Sequence, residues 1–307
     1  MALPRTAIVI LNWNGKELLD GCLSSVMAQA RDGVEVIVAD NGSSDGSVAW
    51  LRERWGEVLV VEIGENLRFA AGNNAGARRA LEGGAELLFF LNNDAELTPG
   101  ALSALREAFA ADEGMGIAAP RIDYADRPGR LWYGGGIARP GWAWFAHRAI
   151  RRQAGQGHDA AGPTDWATGC ALAIRAKLWQ RLGGLDDRFY IYAEDVDLSL
   201  RARAEGARVV YLPQARVLHH VSATVGGGRS AFKVYHQRRS RWQLLRRHLR
   251  PWQWPTALLG LFAYDLVLVV FLLLRLKMHA LGALLLAIMD APRSGLHYEV
   301  KGSRVLA

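Results

Sequence analysis

The segment Leu87 to Glu96 reads Leu-Leu-Phe-Phe-Leu-Asn-Asn-Asp-Ala-Glu, an apolar run that stops abruptly at polar residues. Five consecutive apolar residues predict a strand buried on both faces, as inside a parallel sheet. After the polar residues 92–94, Thr98 is expected to cap a helix that has Pro99 in its first turn. Polar groups at the carboxyl end of such a strand lie where open α/β sheets bind ligands. Taken alone, the pattern also fits an ordinary Asx-rich turn.

Three similar units precede this segment. Strands are predicted over Thr6 to Asn12, Val34 to Ala39 and Val58 to Ile63. A helix is predicted after each strand. The first runs from Leu18 to Met27, the second ends at Arg54, and the third follows the loop Glu65 to Gly76 and ends at about Leu81. This alternation predicts an α/β protein with a doubly wound, mostly parallel sheet. Because all four strands end in polar or glycine-rich turns, these turns are expected to meet at one edge of the sheet.

The later elements are less regular. Strands are predicted over Gly116 to Pro120, Asp165 to Arg175 and Arg208 to Leu212, with Pro213 ending the last, and helices over Pro99 to Ala111 and Ala176 to Leu182. Residues 123–164 are expected to form irregular hairpins and loops. Their aromatic side chains fit either an acceptor groove or simple packing: Trp132, Tyr133, Trp142 and Trp144.

Two further patterns point to chemistry. Glu194, Asp195 and Asp197 stand together at the predicted start of a helix. Capping and the helix dipole account for Glu194 or Asp195, but not for the presence of all three carboxylates. His219 follows a strand, where a histidine is often merely packed.

The composition excludes several classes. Half of the 307 residues are apolar, which argues against disorder. The two cysteines, Cys22 and Cys170, indicate a reducing compartment, and the amino-terminal part is expected to be cytosolic. There is no Gly-x-Gly-x-x-Gly after the first strand and no P-loop motif. Asp40 is instead suited to accept from a nucleobase or ribose, and Asp94 to hold a divalent metal on a diphosphate.

The net charge of +7 is concentrated in the last third of the chain. No Asp or Glu occurs between Gly206 and Tyr264, whereas arginines are frequent there. Thr256 to Leu274 is long and apolar enough to cross a bilayer, and Ala280 to Met289 is a second apolar run. Basic residues on both flanks favour a hairpin or an in-plane helix with both ends cytosolic. A helix buried against a partner subunit is the alternative; nucleic acid is disfavoured by the apolar run.

A set of motifs runs in a consistent order over about residues 5–240. They are residues 9–14 (Val-Ile-Leu-Asn-Trp-Asn), 38–47 (Val-Ala-Asp-Asn-Gly-Ser-Ser-Asp-Gly-Ser), 69–74 (Phe-Ala-Ala-Gly-Asn-Asn), 91–94 (Leu-Asn-Asn-Asp), 168–170 (Thr-Gly-Cys), 192–198 (Tyr-Ala-Glu-Asp-Val-Asp-Leu) and 219–224 (His-His-Val-Ser-Ala-Thr). In these motifs the chain resembles inverting family 2 glycosyltransferases of the GT-A fold, in the rhamnosyltransferase-like group that builds cell-surface polysaccharides.

The resemblance implies a role for each matching residue. Asp195 would be the general base, and Trp166 and Glu194 would hold the acceptor. Asp94 and His219 would ligate Mg²⁺ or Mn²⁺. The donor-binding residues would be Asn12, Asp40, Asn41, Asn74, Asn92 and Asn93.

Two positions depart from the family pattern. Many relatives have Asp-x-Asp where this chain has Asn92, Asn93 and Asp94, which predicts weaker metal affinity. Arg68 stands where the family often has glycine.

These inferences predict three regions: a nucleotide-sugar-binding half (1–122), an acceptor-binding and catalytic half (123–235), and a basic, apolar, helical membrane-association region (236–307). The expected reaction moves a sugar, with rhamnose mildly favoured, from a nucleotide diphosphate to a lipid-linked or polysaccharide acceptor at the cytoplasmic face of the membrane. Oligomeric state is left open. The alternatives are a nucleotidyltransferase, whose basic glycine-rich loop is missing after the first strand, and a membrane-bound sugar-nucleotide sensor without turnover.

Overall fold

The computed structural model describes residues 2–155, 157–221 and 230–291. The strands are β1 (Thr6–Asn12), β2 (Val34–Asp40), β3 (Leu59–Glu62), β4 (Leu87–Asn92), β5 (Ala95–Leu97), β6 (Met115–Tyr124), β7 (Leu131–Tyr133), β8 (Gly136–Arg139), β9 (Trp144–His147), β10 (Gly162–Pro163), β11 (Ala171–Arg175) and β12 (Arg208–His219). The helices are α1 (Lys16–Met27), α2 (Ser47–Arg54), α3 (Arg68–Glu82), α4 (Ala101–Ala111), α5 (Ala176–Leu182), α6 (Glu194–Ala204), α7 (Ala231–His248), α8 (Trp254–Leu274) and α9 (Met278–Asp290).

Ten of the strands form one mixed sheet, whose main path is β10-β12-β6-β11-β4-β1-β2-β3. Strands β1 to β4 are mutually parallel neighbours, as predicted, and their carboxyl ends are aligned: Asn12 pairs with Asp40, and Leu11 with Asn92. The apolar side chains of β1, β2 and β4 are almost completely buried, which explains their continuous apolar sequences. The predicted α/β class and mostly parallel sheet are confirmed.

Strand β11 brings the second half of the chain to the same edge. It runs antiparallel to both β4 and β6, while β6 and β12 are parallel. Strand β12 therefore runs in the same direction as β4, and its last residue, His219, pairs with Ala95 just after β4. Residues that precede β11 reach this edge too, because Ala171 pairs with Leu91.

Helix α3 differs from its prediction because it already begins at Arg68. The motif residues Asn73 and Asn74 are consequently helical rather than part of a loop. Two glycines allow the helix to lie directly on the sheet. A Cβ on Gly72 would be 2.5 Å from Leu11 Cδ1, and one on Gly76 would be 2.5 Å from Val9 Cγ1.

The prediction of Thr98 as a helix cap is wrong. Helix α4 starts at Ala101 after Gly100, which has a φ of 81°. The hydroxyl of Thr98 instead donates to the carbonyl of Arg216. The sequence pattern also missed β5, a strand of only three residues that depends on its partner β12. Tertiary pairing, rather than local preference, organises this segment.

Pro213 does not end its strand, contrary to the prediction. Strand β12 continues to His219, with a register shift against β6 between Leu212 and Arg216. Proline removes one ladder donor, and such irregularities are where a strand tolerates that loss. The extension matters because it carries His219 to the edge of the sheet where β4 ends.

The carboxyl-terminal helices follow the predicted apolar runs. Within the described residues, one helical segment, Pro251–Leu274, which consists of a 3₁₀ turn followed by α8, is long and apolar enough to cross a membrane. Several arginines of α7 have internal partners. Arg238 forms a buried ion pair with Asp265 of α8 at 2.8 Å, and the Arg241 guanidinium lies 3.7 Å from the centre of the Tyr264 ring. This part of the basic sequence is therefore used within the fold.

The division into residues 1–122, 123–235 and 236–307 stays a prediction. Its first boundary falls inside β6 and its second inside α7. The motif residues 222–224, Arg229 and the chain end from residue 292 onwards lie outside the described residues.

Candidate active site

Asn12 links the ends of three strands. Its side-chain amide nitrogen donates to Asp40 Oδ2 at 3.0 Å and to Ser43 at 3.2 Å, and its oxygen accepts from Asn93 at 3.1 Å. Asn12 and Asp40 are 0% and 2% exposed. Asp40 also accepts from the backbone of Ser43 at 2.9 Å. The predicted donor-binding residues at β1, β2 and β4 thus form one rigid cluster, in which Asn12 acts mainly on its neighbours.

Asn41 and Asn74 hold backbone segments. Asn41 accepts from the N–H of Leu67 at 3.0 Å and donates to Asn66, which fixes the turn before α3. Asn74 both donates to and accepts from the backbone of Leu185, at 2.8 and 3.0 Å. None of the hydrogen bonds in the described part of the chain joins Asn74 to Asn12 or Asp40. Donor contact by Asn41 and Asn74 stays a prediction.

Asp94 and His219 meet at the sheet edge. His219 Nε2 lies 3.2 Å from Asp94 Oδ1, and both side chains are less than a tenth exposed. The Trp132 ring packs edge-on against the imidazole, with 4.5 Å between ring centres. Asn92, the last residue of β4, is held through its backbone N–H, which donates to the Cys170 carbonyl at 2.9 Å. The two predicted metal ligands are therefore adjacent and fixed.

This pair fits a divalent metal that is shared with a substrate. No cluster of three or more His, Cys, Asp or Glu ligands occurs in residues 2–155, 157–221 and 230–291. A carboxylate oxygen and an imidazole nitrogen leave several coordination positions for diphosphate oxygens and water, and Mg²⁺ is usually bound by one or two protein carboxylates together with substrate phosphates. The buried Nδ1 of His219 lacks a hydrogen-bond partner among the described residues.

Asp195 is anchored to the loop before β11. Its Oδ2 accepts from the backbone N–H of Gly169 at 2.8 Å, and its Oδ1 from that of Val196. A Cβ on Gly169 would lie 3.0 Å from the Phe69 ring, so the small residue lets α6 approach this loop. Burial raises the pKa of Asp195, while the two N–H donors oppose that rise. The resemblance predicts that Asp195 is the general base, and nothing in the sequence indicated its hydrogen bond with Gly169.

The start of α6 has a strained backbone. Tyr192 and Ala193 have φ values of 70° and 72°, a region that costs a non-glycine residue on the order of 1–3 kcal/mol. This geometry turns Glu194 inward, where it is 6% exposed. Burial, followed by repulsion from Asp195 and Asp197, raises the pKa of Glu194 to about 8. This rise favours the protonated form of Glu194 near neutral pH, and its Oε2 lacks a hydrogen-bond partner among the described residues.

Asp197 explains the third carboxylate of the motif. It is 0% exposed and accepts from Arg201 at 2.7 Å and from His248 at 2.8 Å. Arg247 also pairs with it at 3.0 Å. Because His248 and Arg247 lie at the end of α7, Asp197 ties the acidic helix start to the carboxyl-terminal helices. Sequence alone gave no signal for these partners.

Trp166 is packed in the core beside the hairpin β8–β9. It is 5% exposed, and its indole N–H donates to the Ile137 carbonyl at 3.2 Å. Tyr133 and His147 pack against its ring. Acceptor binding by Trp166 stays a prediction. Of the four aromatic residues considered for an acceptor groove, Tyr133 is buried and Trp132 partly buried, whereas Trp142 and Trp144 are more than half exposed.

Solved structures share this fold. GalNAc-T7 with UDP, GalNAc and Mn²⁺ matches with a TM-score of 0.61 and 16% identity, over 80% of this chain and 48% of that one. The mannosyltransferase PcManGT from Pyrobaculum calidifontis, in complex with GDP-Man and Mn²⁺, matches with a TM-score of 0.59 and 18% identity, over 95% and 88% of the chains. The fold is that of the GT-A glycosyltransferases.

The family follows from the sequence. The model of the glycosyltransferase-like family 2 matches residues 4–244, and the chain belongs to this family. An N-acetylglucosaminyl-diphospho-decaprenol L-rhamnosyltransferase from Mycobacterium tuberculosis is 27% identical over 270 residues, which cover 81% of this chain and 86% of that protein. The resemblance seen in the motifs is confirmed, and the chain is a glycosyltransferase.

Proposed function

We propose that this glycosyltransferase uses a divalent metal and inverts the configuration of the transferred sugar, with Asp195 as its general base. The observation that carries the proposal is the hydrogen bond from Gly169 to Asp195. It holds a carboxylate beside the loop that enters β11, at the same sheet edge as Asp94 and His219. A base and a diphosphate site at one edge suit direct displacement at an anomeric carbon.

In the proposed reaction, Asp195 takes the proton from the attacking hydroxyl of the acceptor. The acceptor oxygen forms a bond to the anomeric carbon, and the bond between that carbon and the diphosphate oxygen breaks. The diphosphate leaves with the bonding electron pair. Because the hydroxyl attacks from the side opposite the leaving group, the configuration inverts. A positioned base contributes on the order of 10²–10⁴-fold to such a step.

Asp94 and His219 would hold Mg²⁺ or Mn²⁺, which, when bound, neutralises charge that develops on the leaving diphosphate. Glu194 would remain protonated and donate a hydrogen bond toward the acceptor. Its raised pKa and its unpaired buried Oε2 support this role. The two neighbouring carboxyl groups thus divide the work, one as base and one as donor.

The substrates are proposed from the relatives. The Mycobacterium tuberculosis relative is named as an N-acetylglucosaminyl-diphospho-decaprenol L-rhamnosyltransferase. We therefore assign a nucleoside-diphosphate rhamnose as the first donor to test, and a lipid-linked glycan as the acceptor.

The proposed location is the cytoplasmic face of a membrane, with α8 lying in the membrane plane. Asp265, near the middle of α8, pairs with Arg238, and Arg241 packs on Tyr264. A crossing α8 would carry these α7 arginines toward the bilayer centre, where each costs about 2.5–3.5 kcal/mol on insertion scales. An in-plane helix leaves α7 on the aqueous side.

The first experiment measures binding of a panel of nucleotide sugars to the purified chain, with and without Mn²⁺, by calorimetry. We expect metal-dependent binding of one donor and its loss in Asp94→Ala. Transfer of that sugar to a lipid-linked acceptor, with the product anomer determined by NMR, then tests inversion. Failure of every donor to bind, or a product with retained configuration, would overturn the proposal.

A further inference from the structure

The hairpin of β8 and β9 presents exposed tryptophans at its tip. A short 3₁₀ helix, Pro140–Trp142, joins the two strands. Trp142 and Trp144 are 57% and 53% exposed. A single exposed tryptophan needs no explanation, but a group of them marks an interaction surface. Trp252, which precedes α8, is 68% exposed and lines the same cavity as Trp142.

The hairpin tip is fixed to α8. A Cβ on Gly260 would lie only 2.1 Å from the carbonyl oxygen of Trp142, so the two backbones are in direct contact. Ala143 packs with Leu245 and Leu261 in a small buried cluster. A cavity of about 370 Å³ opens between the tip and the residues that begin α8. The tip and the amino-terminal half of α8 therefore form one surface.

The outer face of α8 is apolar and uncovered in the described structure. Within the segment Pro251–Leu274, only 28% of the most apolar 18-residue stretch is buried. The apolar side chains of α8 that are more than half exposed are Leu259, Phe262, Leu266, Val267 and Leu274. At the amino end of this face, the Arg250 guanidinium lies 5.3 Å from the centre of the Trp252 ring. Aromatic and cationic side chains that border an apolar surface are typical of the membrane interface.

We propose that the tip of the β8–β9 hairpin enters the bilayer interface together with α8, with Trp142 and Trp144 at the level of anionic headgroups. The proposal rests on the proposed membrane association and extends it from the terminal helices to the catalytic domain. It also has a consequence for the acceptor. The Ile137 carbonyl of β8 accepts from Trp166, and the Ala138 N–H donates to Asp165. A hairpin seated in the interface would place the predicted acceptor side of the site next to the membrane.

Single labelled cysteines test this surface on the full chain. The native Cys22 and Cys170 are 1% and 4% exposed, and burial raises the pKa of both thiols, so an introduced surface cysteine reacts selectively. Trp142→Cys reports the hairpin and Leu259→Cys reports α8. Glu53→Cys, exposed on α2, is the negative control. Each carries an environment-sensitive fluorophore and is mixed with phosphatidylcholine–phosphatidylglycerol vesicles, with or without a spin-labelled quenching lipid.

We expect vesicles to shift emission to the blue and the spin label to quench it at positions 142 and 259, with no change at position 53. A response at 259 without one at 142 overturns the hairpin proposal and leaves the membrane association standing. No change in emission at either position 142 or position 259 contradicts both the hairpin proposal and the membrane association. A shift that needs no vesicles and grows with protein concentration assigns the surface to a second copy of the chain, and also overturns the proposal.

A second measurement uses vesicle affinity. The double substitution Trp142→Ser with Trp144→Ser should weaken sedimentation with vesicles roughly tenfold or more, because two large apolar side chains no longer leave water. Trp13→Ser is the matched control, since Trp13 is 49% exposed but lies at the strand edge after β1. Equal affinities of the double variant and the control would contradict the proposal.

Discussion

The imidazole of His219 and the carboxylate of Asp94 lie 3.2 Å apart, although His219 is the last residue of β12 and Asp94 follows β4. We expect His219→Ala to weaken Mn²⁺-dependent donor binding by roughly tenfold or more. Mutation of a residue that only hydrogen-bonds to a metal ligand already lowers metal affinity by about tenfold. His220→Ala is the matched control, because His220 pairs with Glu96 and is about half exposed. Calorimetry with and without metal measures both. Unchanged metal dependence in His219→Ala would refute the assignment.

Asp195→Asn should lower transfer by roughly 10²–10⁴-fold while donor binding is kept. The amide oxygen can still accept from Gly169, so the fold of this loop is preserved. Asp187→Asn, at an exposed carboxylate before α6, controls for charge. Single-turnover transfer and donor binding are measured on the same samples. An active Asp195→Asn would exclude Asp195 as the base.

Glu194 gives a pH dependence of stability with a defined sign. Its pKa is raised to about 8 from the ordinary 4.5, mainly by burial. Between these values the folded chain keeps a proton that the unfolded chain releases. The stabilisation is complete below pH 4.5 and is lost as pH rises through about 8. As pH rises over this range, the melting temperature of the wild type should therefore fall relative to that of Glu194→Gln. Melting temperatures of the two proteins that change in parallel with pH would contradict this prediction.

Asp197→Ala should destabilise the chain by about 3 kcal/mol, because Arg201 loses its buried carboxylate partner, whereas Arg247 keeps its pair with Asp186. Arg203→Ala serves as the control on the same helix. Its partner Asp165 is at 3.0 Å, but the arginine is 42% exposed, and such pairs contribute about 1 kcal/mol or less. Thermal unfolding compares the two. Similar losses would show that Asp197 does not hold α6 to α7.

Arg68 combines backbone strain with a stabilising contact. Its φ is 70°, a backbone region that favours glycine, and its guanidinium lies 4.0 Å from the Tyr190 ring centre. Arg68→Ala loses the contact and keeps the strain, whereas Arg68→Gly loses both. We expect Arg68→Gly to be the more stable variant by about 1 kcal/mol in thermal or denaturant unfolding. A more stable Arg68→Ala variant would show that the backbone at position 68 does not carry this strain.

Local patterns predicted the first half of the fold well. Buried parallel strands require continuous apolar runs, and β1, β2 and β4 have them. The prediction failed where partners distant in sequence decide the structure. Strand β5 exists because β12 pairs with it, and Pro213 is tolerated at the register shift of β12.

The sequence by itself determined the α/β class, the family and the identity of the polar residues at the strand ends, because these depend on composition and spacing along the chain. Only the tertiary structure decided what those residues contact. Asn12 forms hydrogen bonds with Asp40 and Asn93. Asp195 accepts a hydrogen bond from Gly169, and Asp197 accepts one from His248 of α7. Hydrogen bonds and burial depend on three-dimensional distance, and the antiparallel insertion of β11 brings these separated segments to one edge.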